Sequence, residues 1–189
     1  MKITIHIGAH KTATTHLQAV CTEAFNGPEE DSIVFAGPKT TRSDDFPITR
    51  LAGAPDDSPL QIILQRRLMH ALGGVSSDTI VISDENILGG VKLSKLIGGA
   101  GELYPFGPER LTRILSVPTL RYATVALAVR NPAHFFVSAY IMHVSGGGSS
   151  SFSDYTSLLR SRQPIWTSLV ERLRSVSGIG QIVCWKYED

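Results

Sequence analysis

Residues 3–18 read ITIHIGAHKTATTHLQ. Ile3, Ile5 and Ile7 alternate with Thr4 and His6, the period-2 pattern of a strand. Gly8 then permits a sharp turn, and Lys11, Thr12, Thr14 and Thr15 follow it. Leu17, Val20, Cys21, Ala24 and Phe25 come next at helical spacing, and Asn26-Gly27-Pro28 ends the helix. A strand that turns into a helix N-terminus presents unpaired N–H groups and a partial positive charge, which suits an anion. Lys11 adds a mobile cation, and the three threonines add hydroxyl donors. The nucleotide loop G-x-x-x-x-G-K-[ST] does not fit, because Lys11 comes too soon after Gly8 and His10 stands where Gly would. Taken alone, the stretch also reads as a plain helix cap by Thr12 with a solvated Lys11.

Outward from this stretch, strands and helices alternate to the end of the chain. The segments SIVFAG at 32–37, TIVISDEN at 79–86, YATVALAVRNP at 122–132 and QIVCWKYED at 181–189 read as further strands. Helices are expected over 60–72, from Pro108 to Leu115, through AHFFVSAYIMHV, and over 164–176. Residues 38–59, rich in Pro, Asp, Thr and Arg, read as a long surface connection, and SGGGSSSFSD as a flexible loop with a lid as the alternative. Several strands are apolar throughout, the mark of a parallel sheet covered on both faces. The expectation is one α/β domain over 1–189, three-layered, with about five mainly parallel strands. Ligands of such folds sit outside the carboxyl ends of the strands. That rule gathers the 8–15 turn, Asp84 and Glu85, and Arg130 into one neighbourhood.

The 189 residues suffice for one substantial core, and a net charge of +1 argues against a broad nucleic-acid surface. No apolar run reaches the ~18 residues of a membrane span, and no signal peptide is visible, so a cytoplasmic protein is expected. Cys21 and Cys184 lack metal-ligand spacing and read as reduced, buried thiols, and the histidines form no metal group.

A second stretch, RNPAHFFVSAY, bears on the first. It sets Arg130 at a strand end, Asn131 as a helix N-cap, Pro132 at the first helical position, and Ser138 among apolar neighbours. A serine in so apolar a helix usually bonds back to a carbonyl one turn earlier. Beside an arginine, which grips phosphate oxygens bidentately, it reads instead as part of a second anion site.

Together, HKTATTHLQ and RNPAHFFVSAY resemble the sulfotransferase family that uses 3′-phosphoadenosine 5′-phosphosulfate. Its members carry a Lys-[Ser/Thr]-Gly-Thr-Thr loop for the 5′-phosphosulfate and an Arg-x7-Ser pair, often ending in Tyr, for the 3′-phosphate. Those positions are Lys11, Thr12, Ala13, Thr14 and Thr15, then Arg130 and Ser138, with Tyr140 beyond. Tyr187-Glu188-Asp189 is similar to the Tyr-Glu-Asp that closes a late strand in many members. Ala13 departs from the family's glycine, and the chain stops where members continue through further helices, so the resemblance implies a shortened C-terminal portion.

The resemblance implies a fold like that of P-loop NTPases and in-line sulfuryl transfer, without a metal, to a hydroxyl or amine on a carbohydrate, lipid or small metabolite. Gly8, Lys11, Thr12, Ala13, Thr14 and Thr15 would bind the phosphosulfate, Arg130 and Ser138 the 3′-phosphate, and Lys11 would steady the leaving group. Glu85 is the candidate base; the alternative is that Asp84 or Glu85 caps the next turn or pairs with a lysine such as Lys92. His10 lies beside the loop, either touching the substrate or solvated. Tyr104, Phe106 and Trp166 read as acceptor-pocket walls or as core. Two rival functions stand: a magnesium-dependent kinase or NTPase using Asp84 and Glu85, and a nucleotide-binding domain without turnover.

Overall fold

The computed structural model describes residues 1–25, 33–157, 159 and 164–188, and the expected helix stop at 26–28 and Asp189 lie outside them. Five strands form one sheet: β1 Lys2–His6, β2 Ile33–Ala36, β3 Thr79–Ser83, β4 Thr124–Val129 and β5 Gln181–Lys186. Their order is β2-β3-β1-β4-β5 and every pairing is parallel. The fold is therefore α/β with an all-parallel sheet flanked by helices. The helices are α1 Thr14–Phe25, α2 Pro38–Thr41, α3 Ile48–Ala52, α4 Pro59–Gly73, α5 Leu93–Leu96, α6 Gly107–Leu115, α7 Pro132–Ser145, α8 Phe152–Ser157 and α9 Ile165–Arg174.

The central strands are apolar on both faces because both are covered. Ile5, Ile7, Ile80, Ile82, Val125 and Leu127 are all fully or almost fully buried. Leu64, Leu68 and Leu72 of α4, spaced one turn apart, pack into the same core, as do Leu111 and Ile114 of α6 and Leu169 and Leu173 of α9. Side-chain caps fix two helix starts. Ser58 accepts from the Gln61 amide at 3.1 Å, and Asn131 accepts from the Ala133 amide at 3.0 Å with Pro132 as the first helical residue. Among the described residues, no helix is long and apolar enough to cross a membrane.

Four expectations need correction. Residues 38–59 are no mere surface connection: they contain α2 and α3, and Phe46, Ile48, Leu51 and Ala52 are buried. These helices are four and five residues long, too short to show a helical period among the prolines and aspartates. On α1 the buried residues are Thr14 and Gln18, whereas Leu17 and Val20 are exposed. The polar face is turned inward because hydrogen-bonding partners wait there. Cys184 is exposed and Cys21 half-buried, because β5 is an edge strand and α1 packs by its other face. Finally, the 145–153 stretch is not loop throughout: α8 begins at Phe152, and the residues before it carry their own hydrogen bonds. Gly147 and Gly148 amides bond back to Val144 and His143 carbonyls, the Tyr140 hydroxyl donates to Ser150 O at 3.0 Å, and Ser151 caps α8.

Candidate functional site

β1 sits at the switch point of the sheet, between β3 on one side and β4 on the other. The chain leaves it still tied to the sheet: Ile7 and Ala9 amides bond to Ala126 and Ala128 carbonyls, and the Ala128 amide to Gly8 O at 2.7 Å. The turn that follows uses left-handed backbone at Gly8 (φ 103°), Lys11 (φ 64°) and Ala13 (φ 54°). A Cβ on Gly8 would stand 3.2 Å from the Glu85 Cβ, so glycine suits this position on two counts. Thr12 is buried and its hydroxyl donates to Ala9 O at 2.7 Å, closing the turn internally. It braces the loop and does not line the cavity.

A cavity of about 300 Å³ opens at the carboxyl ends of the strands, lined by Lys11, Ala13, Thr14, Thr15, Glu85, Arg130 and Ser138 with His10, Met142 and Tyr187. Of the residues singled out in the two sequence stretches, Lys11, Ala13, Thr14, Thr15, Arg130 and Ser138 thus meet around one space; Gly8 and Thr12 shape the turn, Asn131 and Pro132 start α7, and the Tyr140 hydroxyl donates to Ser150 O instead. Arg130 donates from Nη1 to Lys11 O at 3.0 Å, and its guanidinium lies over the Tyr187 ring, 4.8 Å from the centroid. Its Nε is buried with no partner among the described residues. The Trp166 indole holds the same residue from behind through Arg130 O at 2.6 Å. The Ser138 hydroxyl makes no hydrogen bond to any described residue, so the usual back-bond to the helix is not formed. The Lys11 ammonium is likewise without an ion-pair partner among them.

The two acids after β3 differ sharply in how they are used. Asp84, fully buried, accepts four hydrogen bonds: Thr41 Oγ1 at 2.6 Å, Arg42 Nε and Nη2 at 2.8 Å each, and the Asn86 amide at 2.9 Å. Four donors fill the roughly four lone-pair positions of a carboxylate. Glu85 accepts only two, from Gln18 Nε2 at 3.0 Å and Arg42 Nη2 at 3.1 Å, and keeps accepting capacity at the cavity wall. Asp84 does cap the next turn, but the paired cation is Arg42 and not Lys92.

Sequence reasoning missed Arg42, Gln18 and Asn86, and undervalued His10. His10 is buried, not solvated: the Tyr104 hydroxyl accepts its backbone N–H at 3.1 Å and lies 2.9 Å from Nδ1. The phenolic proton therefore serves Nδ1, which leaves Nε2–H to donate to Asn86 Oδ1 at 3.2 Å. Tyr104 is core, Trp166 packs edge-on against Phe135, and Phe106 is exposed away from this cavity. No pattern in the sequence flags these partners, which lie far from the loop along the chain.

Behind the loop, the buried His6 sets Nδ1 2.8 Å from the Ser83 hydroxyl. Burial lowers its pKa from 6.5 to about 4, and burial also lowers that of His10 against opposing pulls from Asn86 and Glu85. The unfolded chain protonates these rings near pH 6.5 while the folded chain resists, so stability is complete above that pH and falls as pH drops toward about 4. For His6 the loss approaches about 3 kcal/mol at the acid end. Urea unfolding at pH 7.5 and 4.5 should show a smaller difference for His6→Gln than for the wild chain. Equal differences would mean that His6 titrates alike in both states.

No family model matches the chain, and no curated protein matches its sequence.

Proposed function

We propose that this chain is a sulfotransferase that takes 3′-phosphoadenosine 5′-phosphosulfate as donor and a hydroxyl or amine as acceptor. One observation carries the reading: Lys11, Thr14 and Thr15 share a single cavity with Arg130, Ser138 and Glu85. One loop supplies the cation and helix-end amides for a first anionic group. The other supplies an arginine fork and an uncommitted hydroxyl for a second. A donor with phosphates on both sides of its ribose has that division of charge.

In the proposed step the acceptor oxygen or nitrogen bonds to sulfur as the bond from sulfur to the bridging phosphate oxygen breaks. Adenosine 3′,5′-bisphosphate leaves with the electron pair, and Lys11 offsets the charge that develops there. The acceptor's proton passes to Glu85, whose carboxylate Gln18 and Arg42 orient while leaving it room to accept. Thr14, Thr15 and the first amides of α1 hold the 5′-phosphate, and Arg130 with Ser138 holds the 3′-phosphate. A kinase would need Asp84 for magnesium, but that carboxylate is already saturated by four donors.

The test is a thermal titration with adenosine 3′,5′-bisphosphate against ATP with magnesium, followed by transfer of labelled sulfate from the donor. At 100 times its dissociation constant the bisphosphate should add about 2.7 kcal/mol. For a domain of this size that is a rise in Tm of roughly 5–10 °C. Stabilisation by ATP–magnesium alone would replace the reading with the kinase. Donor binding without any sulfated product, across alcohol, phenol and amine acceptors, would leave a binding domain without turnover.

A further inference from the structure

A second cavity, of about 840 Å³, adjoins the first, and Met142 lines both. Its walls come from Val91, Lys92 and Leu93 at the start of α5 and from Met142, His143 and Ser145 at the end of α7 with Gly146, Gly147 and Gly148. The volume lies within the roughly 300–1,000 Å³ common for small-molecule sites. Among the described residues the lining is mostly hydrocarbon and glycine backbone, and it holds no carboxylate. Among the described residues Lys92 and His143 are its ionisable side chains, and the His143 ring is covered by the loop that follows α7. Gly148 folds onto that ring so closely that a Cβ there would overlap it, and the Gly148 amide bonds to His143 O at 2.9 Å. The ring nitrogen Nε2 is buried there and has no hydrogen-bond partner among the described residues, so it is the one buried polar atom this part of the wall leaves unsatisfied.

Sugars are recognised by several convergent polar groups, and anionic polymers by clusters of cations. Neither is present among the described residues of this wall, whose polar side chains are Lys92, His143 and Ser145. Building on the donor reading above, we infer that the cavity seats the acceptor, and that the acceptor is an apolar alcohol or phenol. Its hydrocarbon body fills the space between Val91, Leu93 and the end of α7. Its hydroxyl reaches past Met142 toward Lys11 and Glu85, where the sulfuryl group is delivered.

The experiment uses 2-naphthol and N-acetylglucosamine as probes, titrated calorimetrically into the chain with and without adenosine 3′,5′-bisphosphate. Two wall variants accompany the wild chain: Val91→Asp places a charge against the ligand, and Ser145→Trp fills the space from the exposed end of α7. The expected result is saturable binding of 2-naphthol that each variant weakens by about tenfold or more, since a charge or a bulky ring displaces apolar contact. N-acetylglucosamine should not bind over the same range. Naphthol binding that is absent, or indifferent to both variants, overturns the inference, as does sugar binding that the variants abolish. Titrating bisphosphate into the same samples keeps the two readings separate. Retained bisphosphate binding in the variants certifies their fold, and its failure on the wild chain sinks the donor reading whatever naphthol does.

Discussion

Replacing Lys11 and Arg130 together by alanine should abolish the stabilisation that adenosine 3′,5′-bisphosphate gives. The single variants should divide the effect. Lys11 sits at φ 64°, a backbone that alanine adopts no less readily than lysine, so Lys11→Ala removes a charge with little change in loop strain. Arg130 does more: it holds Lys11 O at 3.0 Å, lies over the Tyr187 ring and keeps a buried Nε without a partner among the described residues. Truncating one partner of a desolvated charge pair costs about 2–5 kcal/mol, which is roughly 30- to 5,000-fold in affinity. Arg130→Ala therefore belongs near the upper part of that range and Lys11→Ala near the lower part. Arg130→Lys should recover little, because an ammonium cannot present the planar fork that matches two phosphate oxygens. Thermal shifts at fixed ligand concentration give the ranking directly. Equal binding by wild type and the double variant would remove the phosphate assignment from both loops.

The site's frame was legible in the sequence because its parts are local. Alternation at Ile3, Ile5 and Ile7, then Gly8, then hydroxyls before a helix, fixes a strand–turn–helix without help from distant residues. The same holds for Arg130, Asn131 and Pro132, where a strand end, a cap and a first helical residue fall in succession. What could not be read is what these groups touch. Arg42 lies in a stretch whose prolines and aspartates mask two short helices, and its partner Asp84 is 42 positions away. His10 reads as a loop histidine until the fold brings Tyr104 to it across 94 positions. On α1, periodicity marked Leu17 and Val20 for burial, yet Gln18 is the residue turned inward, where Ser83 and Glu85 accept its amide. Hydrophobic period reports a helix, but a polar pocket chooses which face it turns.

Arg42→Ala should destabilise the chain more than Asp84→Ala, although Arg42 is the half-exposed partner and Asp84 the buried one. The asymmetry follows from what each deletion leaves behind. Without Asp84, Arg42, already 43% exposed, turns to solvent, and the losses are the unpaired Thr41 hydroxyl and Asn86 amide. Without Arg42, a carboxylate with no exposure loses two charge-assisted hydrogen bonds and the cation paired with it. Stranding a buried charge costs about 3–5 kcal/mol, although solvent around the arginine trims the figure toward its lower end. Each kcal/mol is roughly 2–4 °C in a domain of this size, so Arg42→Ala should lose about 6–12 °C. The double variant should be more stable than Arg42→Ala alone, since it removes the stranded charge along with its partner. Urea unfolding of the four proteins at neutral pH closes the cycle. A cost below about 1 kcal/mol for Arg42→Ala would show that water already screens the pair. Glu85 would then owe its orientation to Gln18 alone, and Gln18→Ala would become the variant that moves the proposed base.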